Sequence, residues 1–243
     1  MKTRFFAALA AVALFTSCQK DFSAEYGSLS QTNTTTTTNA LGVNNCKASP
    51  YFPVCTGSEY HYTDTRGTLS TGTDLSGTPN DYTVTYLGDT TIENKTYQKI
   101  KSSYNQVTFF NSKNGVTTQI VLNINTQTNA VVPFYKFTII KSNEPVGARW
   151  RDVLELPNNP NEINDYTIIA KGLSRTVSGI TYNDVIQIRQ DVTSANYGAT
   201  PYMHIDQYMA KGVGLIESVS YTDLNGTSSI MVHHKLISAV VPQ

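Results

Sequence analysis

In Val185-Ile186-Gln187-Ile188-Arg189, apolar and polar side chains alternate residue by residue. Successive side chains of a strand point to opposite faces, so this order sends Ile186 and Ile188 to a dry face and Gln187 and Arg189 to water. The same short-strand rhythm recurs in Thr83-Val84-Thr85-Tyr86, Gln119 to Ile124, Phe134 to Ile140, Leu215 to Tyr221 and Ser229 to Ile237. Asn114-Gly115 and Asn225-Gly226 stand between such runs, where two-residue hairpin turns need positive φ. Long runs of Ala, Leu, Glu and Lys are absent, while Thr, Asn, Ser and 15 Tyr supply strand and turn residues. The expected fold class is all-β: an antiparallel meander forming a twisted sheet, half-barrel or sandwich.

The expected meander is duplicated. Asp81-Tyr82-Thr83-Val84 is followed by Asn94 to Ile100, and Asp165-Tyr166-Thr167-Ile168 by Gly179 to Val185. An aromatic opens each half, in Tyr60-His61-Tyr62-Thr63-Asp64 and in Trp150-Arg151-Asp152, and each half has a glycine turn, Asn114-Gly115-Val116 or Lys211-Gly212-Val213. This rhythm predicts two units, at about 58–142 and 148–237, inside one domain spanning 46–243.

The N-terminus is of another character. Lys2 and Arg4 precede an apolar run from Phe5 to Phe15, too short for a bilayer that takes about 20 helical residues, but fitting the core of a signal peptide. It ends in Leu14-Phe15-Thr16-Ser17-Cys18, which resembles a lipobox. That resemblance implies a signal peptide over 1–17 and lipid on Cys18, hence a membrane partner through the N-terminal lipid; three acyl chains anchor a protein durably where one does not. Gln19-Lys20-Asp21 resembles the short export signal that follows the lipidated cysteine in surface lipoproteins of the Bacteroidota. It implies the outer membrane with the domain on the cell surface, the alternative being a periplasm-facing domain. Thr34 to Thr38 is a homopolymer within Ser28–Asn45, so 18–45 reads as a lipidated tether.

Of three cysteines, lipid takes Cys18 and leaves Cys46 and Cys55 in an oxidising compartment, where a disulfide is the economical reading. Lys47 to Val54, with two prolines and two aromatics, reads as a stiff turn packed on the domain edge. The segment from Cys46 to Thr65, with Tyr51, Pro53, Cys55, Gly57, Ser58, Tyr60, Tyr62 and Asp64, resembles the opening of a group of uncharacterised Bacteroidota lipoproteins. Gly179 to Ile186 and Lys211 to Ile216 resemble two further patterns of that group. The resemblance implies a twisted antiparallel sheet, with the half-barrel of periplasmic lipoprotein carriers as one form, and implies no activity.

Candidate chemistry is sparse. His233 and His234 are adjacent on a strand, so they point to opposite faces and do not converge on a metal; one is expected half-buried and the other solvated. His204 and Asp206 share a face, but a nucleophilic mechanism would need an activated Ser or Cys, and no nucleophile elbow accompanies them, so a cross-strand hydrogen-bonded pair is expected. Lys211-Gly212-Val213-Gly214 is not followed by a helix and reads as a turn or bulge needing positive φ. Asp89-Thr90-Thr91 resembles an O-glycosylation acceptor of the Bacteroidota, placed at Thr90 in a predicted turn. No cofactor motif and no metal-ligand set is recognised.

With 18 basic and 18 acidic residues, no basic surface can be assembled to bind nucleic acid. The expected function is that of a lipid-anchored envelope protein without enzymatic activity, a module binding a glycan, a protein or an apolar ligand. The alternatives are a periplasm-facing half-barrel that carries lipids, and a glycan-active hydrolase built on paired carboxylates. An apolar concavity would favour the carrier and a flat tyrosine-bearing face the surface module.

Overall fold

Strands joined by tight hairpins pair with their chain neighbours, and a chain made of little else becomes a meander. The computed structural model describes residues 49–67, 77–92, 94–124, 131–154, 161–224 and 227–242. Among them are no helices and twelve strands: β1 (Glu59–Arg66), β2 (Asn80–Ile92), β3 (Lys95–Ser102), β4 (Val107–Lys113), β5 (Val116–Ile124) and β6 (Val131–Lys141), then β7 (Arg149–Leu154), β8 (Glu162–Val177), β9 (Ile180–Ser194), β10 (Gly198–Ala210), β11 (Gly214–Leu224) and β12 (Thr227–Val240). All six runs singled out by alternation lie within strands. Asn114 (φ 54°) and Gly115 (φ 78°) turn β4 into β5, and Gly212 (φ 75°) and Gly214 (φ 104°) serve the β10–β11 turn. Residues 1–48, with the signal peptide, Cys18, Gln19, Lys20, Asp21, the tether and Cys46, lie outside the described residues, as do Asn225 and Gly226.

The strands form one antiparallel sheet in the order β6-β5-β4-β3-β2-β1-β12-β11-β10-β9-β8-β7. It consists of two six-stranded meanders, β1–β6 and β7–β12, joined by a ladder from Glu59↔Val240 to Arg66↔Val232. The paired sequence motifs fall on corresponding strands: Asp81–Val84 on β2 and Asp165–Ile168 on β8, with the glycine turns after β4 and β10. Corresponding contacts follow. Tyr62 stacks on Tyr82 at 5.6 Å, and Trp150 on Tyr166 at 5.2 Å. Asp64 pairs in register with Asn80, and Asp152 with Asn164.

The sheet curls until its two edges, β6 and β7, almost meet, giving a nearly closed barrel. No ladder joins them. Side chains take its place at one residue, since Trp150 Nε1 donates to the Thr138 carbonyl at 2.6 Å and the Thr138 amide donates to Asp152 Oδ2 at 2.5 Å. Lys171 Nζ also donates to the carbonyls of Ser142 and Glu144, at 2.8 and 3.1 Å, tying the β6–β7 connection to β8. Burial pushes the Asp152 carboxyl up, against the Thr138 amide and Lys141 and Lys136, which draw it down.

One expectation is corrected by the strand bounds. Thr90 is not in a turn: it pairs with Tyr97 inside β2, which continues past a bulge at Gly88 (φ 115°) to Ile92. Glycine supplies the left-handed residue that the bulge needs, so pairing resumes beyond it.

Trp150→Phe keeps a ring to stack on Tyr166 and removes the seam's indole donor. The expected loss is about 1–2 kcal/mol in urea unfolding, the net worth of one hydrogen bond plus some buried area. An unchanged midpoint would mean that the seam bond has no weight.

Candidate functional site: the interior of the half-barrel

In a meander, alternate connections share an end, so the β2–β3, β4–β5, β6–β7, β8–β9 and β10–β11 turns lie with the start of β1 at one end of the barrel. Ser49 to Ser58 closes that end. Tyr51, Phe52 and Val54 are buried, and Phe52 packs on Phe110 of β4 with ring centres 4.5 Å apart. The segment therefore forms part of the core, which corrects its expected place on the domain edge: two aromatics and a valine carry too much apolar surface to be left there.

A buried loop must satisfy its backbone polar groups. Pro50 and Pro53 remove two amide donors from the problem, and three carbonyls are met by the barrel. Gly212 N donates to Pro50 O at 2.7 Å, Gln98 Nε2 to Val54 O at 2.9 Å, and Tyr60 Oη to Pro53 O. Tyr51 Oη donates to Asp184 Oδ1 of β9 at 2.6 Å, and Ser49 Oγ lies 3.4 Å from Ser142 Oγ. One short segment thus holds both meanders. The Cys55 amide donates to Ser58 Oγ at 3.0 Å, whereas Cys46, its expected disulfide partner, is outside the described residues.

Beneath this plug lies an apolar cavity of about 40 Å³, lined by Phe52, Val54, Tyr60, Tyr62, Val84 and Phe110 among others. By the same measure a water needs roughly 10–15 Å³, so the space is modest, but it is roofed by a segment that lies outside the strands, ahead of β1. Further from the plug the inner face turns polar. His234 Nδ1 donates to Asp64 Oδ1 at 2.6 Å, and Tyr82 Oη lies 2.8 Å from Nδ1 and 3.3 Å from Nε2. With Nδ1–H given to Asp64, Nε2 is the ring's remaining acceptor for the phenol. Burial first, and then the Asp64 charge, drive the Tyr82 hydroxyl far above the usual phenol range, so it remains a donor. Gln207 Nε2 donates to Gln190 Oε1 at 3.2 Å, and Gln190 Nε2 to Asn164 Oδ1 at 2.8 Å.

Ser218 sits between these two groups, directly across from His234 on β12 and Gln207 on β10. Asp64, His234 and Ser218 thus succeed one another on three adjacent strands, an order reminiscent of a nucleophilic triad. Both imidazole nitrogens are already engaged, however, and Ser218 Oγ has no hydrogen-bond partner. Four further buried polar atoms share that condition: Gln98 Oε1, Ser102 Oγ, Gln119 Oε1 and Ser220 Oγ. Each such orphan costs about 1–3 kcal/mol.

The outer face answers the remaining expectations. His204 forms a cross-strand pair as expected, with a residue of β9 rather than with Asp206. It binds Asp191 at 2.6 Å, while Asp206 takes a two-pronged contact from Arg189 at 2.9 and 2.7 Å, because the register sets those residues opposite one another. His233 and His234 do point to opposite faces, but neither is solvated: His234 is buried on the inner face, and His233 binds Glu217 at 2.6 Å on the outer. Arg175, beyond three bulges in β8, also reaches Glu217 and lies 3.4 Å over the Tyr208 ring, so the end of the β8–β9 hairpin folds back across β10 and β11. Although burial raises the Glu217 carboxyl, His233 and Arg175 outweigh it and hold the group below its usual value. The tyrosines form no flat outer face among the described residues. Tyr51, Tyr60, Tyr62, Tyr82, Tyr97, Tyr166 and Tyr208 are buried, and the exposed ones are Tyr104 and Tyr197.

No family model and no curated protein matches the chain. Among solved structures, a protein of Parabacteroides distasonis ATCC 8503 classed as a lipoprotein aligns over 80% of this chain and 100% of its own, with 10% identity and a TM-score of 0.45. A protein of Bacteroides fragilis NCTC 9343 classed as exported, with a YmcC-like fold, aligns over 78% and 98%, with 7% identity and a TM-score of 0.43. Both likenesses are remote.

Tyr51→Phe is expected to loosen the plug by about 1 kcal/mol at pH 7, a modest figure because Asp184 is partly solvated. The Asp184 carboxyl is held below its ordinary value first by Tyr51 and then by Lys211. A lowered carboxylate stabilises the fold above its unfolded pKa of about 3.9, and this is lost as pH falls through the folded value. Urea unfolding of both proteins should therefore show a gap that narrows below about pH 4. A gap independent of pH would rule out the latch.

Proposed function

We propose that this chain is a lipid-anchored envelope protein that shelters an apolar ligand inside its barrel and performs no catalysis. The observation that carries this reading is the apolar cavity under Phe52 and Val54, walled by Tyr60, Tyr62, Val84 and Phe110. Of the partners open to a binding module, an apolar ligand has a lined site here, whereas a tyrosine-bearing glycan or protein surface would have, among the described residues, Tyr104 and Tyr197 as its exposed tyrosines.

The cavity as it stands is smaller than an acyl chain, so a ligand enters by displacing apolar side chains of the plug. The plug is held through the Tyr51 hydroxyl and its backbone carbonyls by a few hydrogen bonds rather than by a ladder, and the seam between β6 and β7 is the other weak line of the barrel. Cys46–Cys55 pairing would keep the plug on a short leash while Phe52 moves. The two meanders are read as copies of one unit.

The proposed address rests on the N-terminal sequence and not on the cavity: lipid on Cys18, export directed by Gln19, Lys20 and Asp21, and an outer-membrane position with the domain on the cell surface, the periplasm-facing placement being the alternative that accompanies a carrier. Protease shaving of intact cells tests the exposed side, and mass spectrometry of the mature N-terminus tests the lipid. A glycan on Thr90, half-buried in β2, would decorate the protein without touching the interior.

For the ligand, the full chain with an ordinary secretory signal and Cys18→Ala, purified from the periplasm, is titrated with the apolar fluorophore 1-N-phenylnaphthylamine. Saturable enhancement is expected, lost in Val84→Phe, which fills the cavity while far-ultraviolet circular dichroism stays that of a β-sheet protein. Equal binding by a folded Val84→Phe variant would sink the proposal.

A further inference from the structure

The geometry points to a neutral amphiphile as the ligand: its apolar tail lies in the cavity under the plug, and a head rich in O–H or N–H groups meets the orphaned atoms around it. This inference rests on the apolar-ligand reading above and names its chemical class. The orphans are not scattered. Ser102 is directly across from the cavity residue Val84. Gln98 and Gln119 flank Phe110 on its two sides. Ser218 and Ser220 continue along β11 from Leu215, which also lines the cavity, and strand alternation sets them on the inner face with His234 and Val232. Ser102, Gln119, Ser218 and Ser220 are each 3% exposed. The apolar wall is thus ringed on β3, β5 and β11 by polar atoms that have no hydrogen-bond partner among the described residues.

The kind of orphan specifies the head. Gln98 Oε1 and Gln119 Oε1 are acceptors, so they require donors, and the three serine hydroxyls can give or accept. An ionised phosphate or carboxylate would bring acceptors to acceptors. It would also be an uncompensated buried charge, since no lysine or arginine is buried among the described residues and His234 is committed to Asp64 and Tyr82. A glycerol, sugar or amide head has donors and no charge. It would complete the polar chain between Tyr82–His234–Asp64 and Gln207–Gln190–Asn164 at the point where Ser218 interrupts it.

The test uses the same secreted full chain with Cys18→Ala and two ligands of one tail, 1-monolauroylglycerol and laurate, at pH 8. Each is titrated as a competitor of 1-N-phenylnaphthylamine. The glycerol ester is expected to bind at least about tenfold more tightly than the anion, and Ser218→Ala with Ser220→Ala to weaken the ester roughly three- to tenfold while leaving the fluorophore unaffected. The same double variant should unfold at an equal or higher temperature than the wild type, because each alanine removes an unsatisfied hydroxyl. A purely structural role for the serines would lower the melting temperature and leave the ester's affinity alone. Laurate binding as tightly as the ester, or an unchanged preference in the double variant, would overturn the inference while the fluorophore's own binding upholds the apolar site. If the fluorophore does not bind, both fall together.

Discussion

Closure of the sheet is the constraint on which the rest of the molecule depends. Twelve antiparallel strands in one twisted sheet can end in two exposed edges or curl until the edges meet. Two six-stranded meanders arranged head to tail have two joints to make, and this chain makes one of them as a ladder, between β1 and β12. At the corresponding joint, β6 and β7 exchange no ladder, and Trp150 and Asp152 stand in by binding the carbonyl and amide of Thr138. A carboxylate and an indole thereby do at one residue what a strand would do along its length.

An incomplete ring leaves its interior to be closed by other means, and the plug does this from within. Residues 49–58 contact β3, β4, the β6–β7 connection, β9 and the β10–β11 turn, so the plug bridges the meanders on the side opposite the ladder as well as beside it. Its prolines are part of the solution, because a loop without two of its amides is easier to bury. Rigid proline geometry also fixes where Phe52 points.

The strands were legible wherever one face is dry: alternation located β9, β11 and β12, and Asn114-Gly115 marked its hairpin. The motifs that the sequence sets in pairs lie in strands, Asp81–Val84 in β2 and Asp165–Ile168 in β8, because turn chemistry and strand rhythm are local properties. What alternation could not read is which face is inside. In Glu217-Ser218-Val219-Ser220-Tyr221 the apolar phase points outward, where Val219 is nevertheless 6% exposed, and the serines point in. The outer face of β10 and β11 is covered by the end of the β8–β9 hairpin, a long-range fold-back that three bulges create and no local pattern announces. The plug is illegible in the sequence for a related reason: Pro-Tyr-Phe-Pro looks like punctuation until the hole it fills exists. His204 and Asp206 share a face as their spacing requires, yet their partners come from register, which adds Asp191 and Arg189 from β9.

An interior that is aromatic under the plug and polar beyond it is a poor arrangement for stability alone. A wholly apolar core of the same shape would avoid five orphaned atoms, and serine-to-alanine changes are available to every sequence at small cost in volume. Natural chains hold such unsatisfied groups where something else answers them. The same logic accounts for the seam and the plug, both of which hold by a handful of directed bonds where a ladder or a continuous strand would hold more firmly. On the proposed reading, a lid and wall fastened by few bonds, with a lining that carries unmet hydrogen bonds, suit a container that a ligand fills.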